Sequence, residues 1–503
     1  MIEINPINKV YAYIKNLTTT QKDLIYNRFS IDYPGKEFVP NYKNGIWDGC
    51  FHFFNKGLST LPGGLIPELC ETLNEIGAEY ANNCVYESNS DIKYDTSLNP
   101  VNITPTSYQI RAVESALKKK RTIIESATSS GKSLMMSLIA QMILKVNPSG
   151  KVCIIVPFVQ LVNQLKKEFI SYGVSPDLIG VSTLKKGKAN PNDPELTKPI
   201  VISTWQTLYR LPKSYFHSFN ALLLDEAHTF AKSITDIMNF SINCDYMIGF
   251  SGSVKKTCKM YEYLYRGFFH NVTPIIEARE LIDMGFATEV YIQPIHFIYN
   301  HRLYNPDFME TPDSREQGVL CAKHKGRILK IKGMIDYLFN EKYFGDQANK
   351  NTLLLYSSVK NGFFKELVKF AQKCGINACF INGKVDAKKR DEYVLNATKT
   401  DNNLIIASFK TFATGINLKN LHRIIFSESV GETFIKQAIG RGMRKLEGKD
   451  QVIVYDIMDY FKGENVFISK NNYRYKLYKQ MRLKVLPYQK TLVDVNFYGE
   501  KVV

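Results

Sequence analysis

Short apolar runs alternate with longer amphipathic stretches along the chain from Arg121 onward. Uninterrupted apolar runs separated by segments of helical periodicity are typical of buried strands in parallel sheets built from βαβ units. The predicted strands are residues 122–124, 152–156, 200–203, 221–224 and 246–250 in a first series and residues 353–356, 378–381, 404–407, 423–426 and 452–455 in a second. Two such series predict an α/β chain with two parallel-sheet lobes.

The amino-terminal region lacks this alternation and is rich in aromatic residues, Asn and Gly. It ends in a polar stretch, residues 87–102, which carries neither helical nor strand periodicity. At roughly 100 to 200 residues per domain, a chain of 503 residues favours about three domains. We therefore predict a small α+β domain at residues 1–98, a first lobe at residues 99–290 and a second lobe at residues 291–503.

The composition is that of an ordinary soluble globular chain, with 45% hydrophobic and 22% charged residues. No apolar run is long enough for a membrane helix, and residues 1–13 lack the basic and then apolar pattern of a secretory signal. We expect a cytoplasmic protein without a membrane partner. The nine cysteines are scattered without a C-x-x-C pair, so we expect neither a disulfide framework nor a structural zinc site.

The net charge is +17, from 65 Lys and Arg against 48 Asp and Glu. A balance this basic favours a polyanionic partner such as nucleic acid. Because the basic residues are spread along the chain, a generic basic protein without such a partner is the alternative.

A candidate phosphate-binding loop directly follows the first predicted strand of the first lobe. A strand, a tight loop of small residues and a helix place backbone N–H groups and a helix N-terminus around phosphates. Lys132 would reach the β- and γ-phosphates of a nucleotide, and the Ser133 hydroxyl suits Mg²⁺. Ser126 stands where the G-x-x-x-x-G-K-[ST] pattern has its first glycine, so a chance match stays open. The predicted loop residues are Thr128, Ser129, Ser130, Gly131, Lys132 and Ser133.

An acidic pair, Asp225 and Glu226, stands at the carboxyl end of the predicted strand at residues 221–224. Ligands of open α/β sheets bind at this end of the strands. Asp225 is suited to hold Mg²⁺ through water, and Glu226 to polarise an attacking water during phosphoryl transfer. A helix N-cap is the structural alternative for such a pair, but the upstream Gly-Lys-Ser loop favours an ATP site.

This acidic pair, continued by Ala227 and His228, resembles together with the Gly-Lys-Ser loop the superfamily 2 helicases and translocases that carry a DEAH box. The resemblance implies two RecA-like lobes, hydrolysis of ATP with Mg²⁺, and movement along nucleic acid. Tyr108 and Gln109 resemble the adenine-reading motif, although an ordinary helix start fits them as well. Residues in the positions of the strand-contacting motifs are Pro157, Gln164, Thr204 and Trp205 in the first lobe and Ser357, Thr414, Gly415 and Asn417 in the second.

The segment from Gln437 to Arg444 resembles motif VI of the same family. Arg441 and Arg444 are three positions apart, which places both on one face of a helix. We expect Gln437, Arg441 and Arg444 to join Asp225 and Glu226 as catalytic residues, with ATP held between the two lobes and the cleft closing on the γ-phosphate. A solvated basic helix end is the alternative for the two arginines.

The amino-terminal region resembles the corresponding module of phage UvsW-type recombination helicases. This resemblance implies a DNA helicase that remodels junctions, forks and R-loops. The basic and aromatic mixture of residues 1–98 favours contact with DNA, and a small core built from its aromatic residues is the alternative. We expect a monomer with weak sequence preference and RNA–DNA hybrids among its substrates. Phage recombination, repair and replication in a bacterial cytoplasm are the implied setting. The alternatives are an RNA helicase, a restriction-type translocase on double-stranded DNA, and a nucleic-acid-binding scaffold that has lost catalysis. The residues that carry the resemblance include Phe38, Pro40, Tyr42, Gly45, Trp47, Asp48 and Gly49.

A basic and aromatic stretch at residues 470–490 is a further candidate for contact with DNA. An amphipathic helix that packs on the second lobe and exposes its basic face fits the same pattern. Both interpretations stay open from the sequence.

Overall fold

The computed structural model places the chain in two compact units, Met1–Ile276 and Glu277–Val503. The residues that the structure describes are 1–84, 92–184, 187–229, 232–254, 258–303, 313–357, 363–382, 385, 387–413, 418–463 and 465–501. No helix among them combines the length and the apolar composition that crossing a membrane requires.

The amino-terminal module of the first unit combines a four-stranded sheet with helices. Its elements are β1 (Ile2–Pro6), β2 (Tyr11–Lys15), α1 (Thr19–Arg28), β3 (Ser30–Asp32), α2 (Pro40–Lys43), β4 (Cys50–His52), β5 (Thr60–Pro62), α3 (Ile66–Glu75) and β6 (Tyr80–Asn82). The sheet has the order β5-β2-β1-β6, with β1 antiparallel to β2 and parallel to β6, whereas β3 and β4 form a separate antiparallel ribbon. This mixture agrees with the predicted α+β character.

The remainder of the first unit is a seven-stranded parallel sheet of order β13-β7-β12-β11-β8-β10-β9. Its strands are β7 (Arg121–Ser126), β8 (Val152–Val156), β9 (Ile179–Ser182), β10 (Ile200–Thr204), β11 (Ala221–Leu224), β12 (Tyr246–Ser251) and β13 (Val272–Ile276). Its helices are α4 (Ser107–Lys119), α5 (Lys132–Val146), α6 (Val159–Ser171), α7 (Trp205–Leu208), α8 (Lys232–Phe240) and α9 (Lys259–Phe269). The central strands β8 and β11 are buried at every position, as their uninterrupted apolar runs predict.

The amino-terminal module packs on α9 through a hydrophobic core that is continuous with that of the parallel sheet. Tyr11 meets Phe268 edge to face at 5.9 Å, and Tyr263 of α9 packs against Phe53 at 5.6 Å. The closest approach is at Gly64, where a Cβ atom would overlap the carbonyl oxygen of Arg266. Only glycine therefore lets the module come this near to α9.

We expect Gly64→Ala to lower the free energy of unfolding by about 1 to 3 kcal/mol, because the added methyl group must push the module away from α9. Denaturant unfolding of the whole chain measures the change. Gly57→Ala is the matched control, since its Cβ would meet nothing nearer than the Asn55 side chain at 3.5 Å. Equal stability of the two variants would contradict the close packing at Gly64.

The second unit contains an eight-stranded sheet in which every described pairing is parallel. Its strands are β14 (Glu289–Tyr299), β15 (Thr352–Tyr356), β16 (Asn377–Ile381), β17 (Asn403–Ser408), β18 (Arg423–Phe426), β19 (Gln451–Tyr460), β20 (Lys484–Val485) and β21 (Gln489–Val493). The order is β16-β17-β15-β18-β19-β14-β20, and β21 also pairs with β14. Its helices are α10 (Ala278–Asp283), α11 (Ser314–Lys323), α12 (Lys325–Phe339), α13 (Glu341–Phe344), α14 (Phe363–Lys373), α15 (Ala387–Lys399), α16 (Phe409–Ala413), α17 (Glu432–Gly442) and α18 (Phe467–Gln480).

All ten predicted strands are present, so the predicted α/β class with two parallel-sheet lobes is confirmed. The sequence pattern missed β9, β13, β14, β20 and β21. The predicted domain limits at residues 98 and 290 stay predictions. The first lies inside the first compact unit, and β14, which belongs to the second sheet, begins at Glu289.

Candidate active site

The phosphate-loop candidate joins β7 to α5 through two residues with left-handed backbone. Gly131 has φ +82° and Ser129 has φ +72°, a region that residues other than glycine seldom adopt. α5 begins at Lys132, so the N-terminus of this helix, with the positive end of the helix dipole, lies beside the loop. This geometry is that of a loop that cradles phosphates.

The departure from the glycine pattern at Ser126 is accommodated inside the loop. The Ser126 hydroxyl donates to the Ser130 hydroxyl at 2.6 Å, and both side chains are buried. A serine here therefore closes the loop with its own hydrogen bond where the pattern expects glycine. Serine in place of the first glycine of the pattern is therefore compatible with the loop geometry.

Lys132 lies at the base of this loop and faces the acidic pair. Its Nζ donates to the carbonyl oxygens of Ser126 and Ala127, each at 3.2 Å. Gly252, which follows β12, lies against the loop, since a Cβ atom there would be 3.1 Å from Thr128 Oγ1 and 3.5 Å from Lys132 Nζ. A lysine held by weak carbonyl contacts at the end of β7 is placed to exchange them for phosphate oxygens.

Asp225 and Glu226 follow β11, whose neighbours in the sheet are β12 and β8. Burial and the neighbouring Glu226 raise the pKa of the Asp225 carboxyl, and the charge of Lys132 opposes this effect. Asp225 Oδ1 accepts the backbone N–H of Glu226 at 3.0 Å. The negative charge of a buried carboxylate with an acidic neighbour is only partly compensated, and a bound cation would stabilise it.

Glu226 has a left-handed backbone, with φ +51°. Its Oε2 is 3.2 Å from His228 Nδ1, and His228 Nδ1 is also 3.0 Å from the Ser251 hydroxyl. The Ser251 hydroxyl in turn accepts the N–H of Ser253 at 3.1 Å. This chain of contacts links Glu226 to the end of β12 and orients its side chain, and strain of this kind clusters at functional sites.

Tyr108 and Gln109 reach the phosphate loop from the first turn of α4. The Tyr108 hydroxyl and Gln109 Nε2 both donate to the Ser130 carbonyl oxygen, at 3.0 and 2.9 Å. Gln109 Oε1 accepts the N–H of Thr106 at 2.9 Å, which completes a capping box for α4. The pair thus caps a helix and supports the loop, and its contact with adenine stays a prediction.

A tyrosine that the sequence did not single out contacts the predicted Mg²⁺ ligand. The Tyr172 hydroxyl, just after α6, lies 3.0 Å from the Ser133 hydroxyl. Burial raises the pKa of Tyr172, so the phenol keeps its proton. No spacing rule connects these positions, because the contact arises from the packing of α6 on α5.

We expect Tyr172→Phe to weaken the binding of Mg²⁺-ATP about 2- to 12-fold, because the single hydrogen bond that orients Ser133 is lost. Equilibrium titration with a fluorescent ATP analogue, with Mg²⁺ and with EDTA, measures the change. Tyr209→Phe, at an exposed tyrosine of the same lobe, is the control. Unchanged affinity in Tyr172→Phe would remove Tyr172 from the site.

In the second unit, α17 carries Gln437 and Arg441, and Arg444 follows its last turn. Arg441 Nη1 donates to the Phe412 carbonyl oxygen at 2.5 Å, and its guanidinium lies 5.3 Å from the centre of the Phe412 ring. Both arginines are half-buried. The basic end of α17 is therefore packed rather than fully solvated, in contrast to the alternative drawn from the sequence.

Lys449 fixes the end of α17. Its Nζ donates to the carbonyl oxygens of Gly442 at 2.6 Å, Arg444 at 2.8 Å and Lys419 at 3.0 Å. Burial, with a smaller contribution from the charge of Arg444, lowers the pKa of Lys449 to about 8. All three ammonium donors thus satisfy carbonyl groups at the turn that presents Arg444.

Three of the predicted strand-contacting residues of the first lobe stand where strands of the sheet end. Pro157 follows β8 and is buried, Thr204 ends β10 with its hydroxyl 3.0 Å from that of Thr207, and Trp205 begins α7 half-buried. Gln164 lies within α6 and donates to Glu168 Oε1 at 2.8 Å. Their contact with nucleic acid stays a prediction.

The strand-contacting predictions of the second lobe are only partly within the described residues. Ser357 follows β15, and its N–H donates to Glu428 Oε2 at 3.0 Å while its hydroxyl donates to the same oxygen. Burial raises the pKa of Glu428, and the hydrogen bonds from Ser357 oppose this rise. Thr414, Gly415 and Asn417 lie outside the described residues.

Comparison with known proteins gives one family match in each lobe. A profile described as the res subunit of type III restriction enzymes matches residues 102–256, and one described as the helicase conserved C-terminal domain matches residues 330–445. The "ATP-dependent DNA helicase uvsW" of Enterobacteria phage T4 is 28% identical over 454 residues, which cover 86% of this chain and 85% of that protein. The chain is an ATP-dependent helicase related to phage UvsW.

Solved structures agree with this assignment at the level of fold. The type ISP restriction-modification enzyme LlaBIII bound to DNA is 17% identical, with a TM-score of 0.53 over 78% of this chain and 31% of that one. A variant of S. cerevisiae Dbp5 bound to RNA and ADP BeF3 is 12% identical, with a TM-score of 0.50 over 80% of this chain and 96% of that one. The two parallel sheets of this helicase are RecA-like lobes, and the expectation of an ATP-hydrolysing, nucleic-acid-binding enzyme is confirmed.

Proposed function

We propose that this helicase unwinds or remodels branched DNA, including junctions, forks and R-loops, in phage recombination, repair and replication within the cytoplasm of a bacterial host. The observation that carries the proposal is the similarity to a phage DNA helicase over 86% of the chain. This similarity extends beyond residues 102–256 and 330–445, which the two family profiles match. A chain related over nearly its whole length shares the arrangement of modules as well as the ATP-hydrolysing lobes.

The first lobe would bind the phosphates of ATP through Lys132 and the N–H groups at the start of α5. The Ser133 hydroxyl and the Asp225 carboxylate are the oxygen donors that Mg²⁺ prefers, and the burial of Asp225 fits a cation ligand. Mg²⁺ bound there would neutralise charge on the phosphates. Glu226 would orient and polarise the attacking water, with its side chain held by His228.

In the second lobe, Gln437, Arg441 and Arg444 would complete the site when the lobes close on ATP. The hydrogen bonds from Lys449 to the carbonyl oxygens of Gly442 and Arg444 support this role, because they fix the backbone at the end of α17. If closure of the lobes depends on the γ-phosphate, hydrolysis removes that contact and lets the lobes open again by a hinge motion.

The strand-contacting residues at the carboxyl ends of β8, β10 and β15 would hold the nucleic-acid backbone. Backbone contacts carry little sequence information, so we expect weak sequence preference and binding that falls as salt rises. The amino-terminal module shares one core with the first lobe. It would therefore move with that lobe and present its surface to the branch point. We expect the active form to be a monomer.

The proposal is tested by ATPase and unwinding assays of the purified chain with single strands, forked DNA, four-way junctions, R-loops and an RNA duplex. We expect the strongest stimulation and strand separation with branched DNA. Preference for the RNA duplex would instead identify an RNA helicase. Stimulation by linear double-stranded DNA without strand separation would identify a translocase.

A further inference from the structure

The carboxyl-terminal segment 467–493 has a strongly one-sided charge. It contains seven Lys and Arg residues and no Asp or Glu. α18, β20 and β21 make up most of it, and both strands pair with β14. Its basic residues are Lys470, Arg474, Lys476, Lys479, Arg482, Lys484 and Lys490.

Part of this segment has a purely structural role. The Arg474 guanidinium is buried against the Asp456 carboxylate of β19, and Arg474 Nη2 donates to Asn471 Oδ1 at 2.7 Å. The Tyr478 hydroxyl donates to the other oxygen of Asp456 at 2.7 Å. These contacts fasten α18 to the sheet, which leaves Lys476 and Lys479 on its exposed face.

The other part forms a rigid aromatic platform around Tyr488. The Tyr488 ring stacks on the His296 ring, with a centroid distance of 4.2 Å and an interplanar angle of 6°. His296 is itself held by the Tyr475 hydroxyl at 2.7 Å and by the Tyr460 ring at 4.6 Å. The stack therefore supports one face of the Tyr488 ring, although this residue keeps 51% of its surface exposed.

The backbone beside Tyr488 is anchored to β14. The N–H of Leu486 donates to the Ile292 carbonyl at 2.8 Å, and Gln293 Nε2 donates to the Pro487 carbonyl at 2.8 Å. A half-exposed aromatic ring on an anchored segment loses little conformational entropy when it binds a flat partner. The platform is prepared for stacking before any partner arrives.

A cation lies against the ring. Lys490 Nζ is 5.7 Å from the centre of the Tyr488 ring, whereas Lys484, nearby along the chain, lies 5.3 Å from the centre of the Tyr291 ring and pairs with Glu289 at 2.9 Å. Glu289 also pairs with Arg279 at 2.8 Å, so it offsets only part of the positive charge. An exposed ring with a lysine against it, on a segment rich in further lysines, matches a base with its adjoining phosphates.

We propose that Tyr488 stacks on a base of a single-stranded nucleic acid while Lys490 and the lysines of α18 contact its backbone. A single strand is the occupant that fits, because an internal base pair of a duplex offers no free ring face. The contact lies outside the helicase motifs and rests on the nucleic-acid substrate of the proposed function. Stacking on Tyr488 would give the second lobe an additional binding contact with the translocated strand.

The test uses the full chain, a fluorescein-labelled oligothymidylate and fluorescence anisotropy. We expect Tyr488→Ala to raise Kd about 5- to 100-fold, whereas Tyr488→Phe keeps the affinity. Leu492→Ala is the matched control, since Leu492 lies on β21, which directly follows Tyr488, and has the same exposed fraction, 51%. Lys490→Ala should reduce the slope of log affinity against log salt by about 0.7.

Basal ATPase without nucleic acid should be equal in all variants, which shows that they fold. If Tyr488→Ala binds the oligonucleotide like the wild type, or if Leu492→Ala loses as much affinity, the platform is refuted and the proposed function stands. If the wild-type chain neither binds nor responds to any DNA, the proposed function fails, and the platform with it.

Discussion

Glu226→Gln is expected to lower kcat for ATP hydrolysis at least about 100-fold, with ATP binding retained. General-base and water-positioning groups contribute about 10²- to 10⁴-fold to such reactions. Glutamine keeps the shape of the side chain and its contact with His228 but has no charge with which to polarise water. The backbone strain at Glu226 is unaffected by this change, so the loss would report on chemistry rather than on folding.

Steady-state ATPase with saturating DNA measures kcat, and titration with a fluorescent ATP analogue measures binding. Glu114→Gln, at an exposed glutamate of α4, is the matched control and should behave as wild type. Because the closed state would persist, Glu226→Gln should also hold single-stranded DNA more tightly in ATP than the wild type does. Turnover within about twofold of the wild type would remove Glu226 from its catalytic role.

Most of the strands that the sequence predicted are buried along an apolar run, although β16 and β19 also contain half-buried positions. β8 and β11 are buried at every position and consist entirely of apolar residues. β15 and β17 are also buried throughout, with apolar runs at residues 353–356 and 404–407 beside buried polar residues. β14 was missed because polar residues and Pro294 interrupt its pattern along eleven residues, although it pairs with β19 over most of its length. Its partner strands β20 and β21 are mostly exposed, so hydrophobicity could not reveal them.

The sequence predicts those site residues whose type is required by a motif. It does not predict contacts that arise only from the packing of helices and loops. Lys132, Asp225 and Glu226 are recognisable because a phosphate loop and a strand end require those residue types. The contact of Tyr172 with Ser133 depends on how two helices pack, which no spacing encodes. The hydrogen bond between Ser126 and Ser130 likewise appears only once the loop is closed.

The basic residues of the stretch 470–490 have two different roles, because some are buried in the second lobe and others are exposed on its surface. The sequence left open whether these cations contact DNA or pack on the lobe. Arg474 is buried with Asp456, whereas Lys476, Lys479 and Lys490 are exposed. Charge alone could not separate them, because burial of an arginine depends on a carboxylate from a distant strand.

Arg441→Ala is expected to abolish turnover by a different route, since this arginine lies on the second lobe. An arginine that neutralises charge on a transferred phosphoryl group contributes about 10³- to 10⁵-fold to kcat. The proposed function has Arg441 act only in a closed state, so ATP should still bind the first lobe of the variant with nearly wild-type affinity. The expected signature is thus a loss in kcat of about 1000-fold or more without a matching loss of binding.

The guanidinium of Arg441 also contacts Phe412, so a structural effect must be separated from a catalytic one. Arg441→Lys keeps a cation but loses the planar donor array, and it should recover little activity. Lys436→Ala removes a cation of the same helix that pairs with Glu432, and it should retain turnover. Wild-type hydrolysis by Arg441→Ala would refute a site completed by the second lobe. Equal losses in Arg441→Ala and Lys436→Ala would indicate damage to α17 instead, because only Arg441 is expected to meet the γ-phosphate.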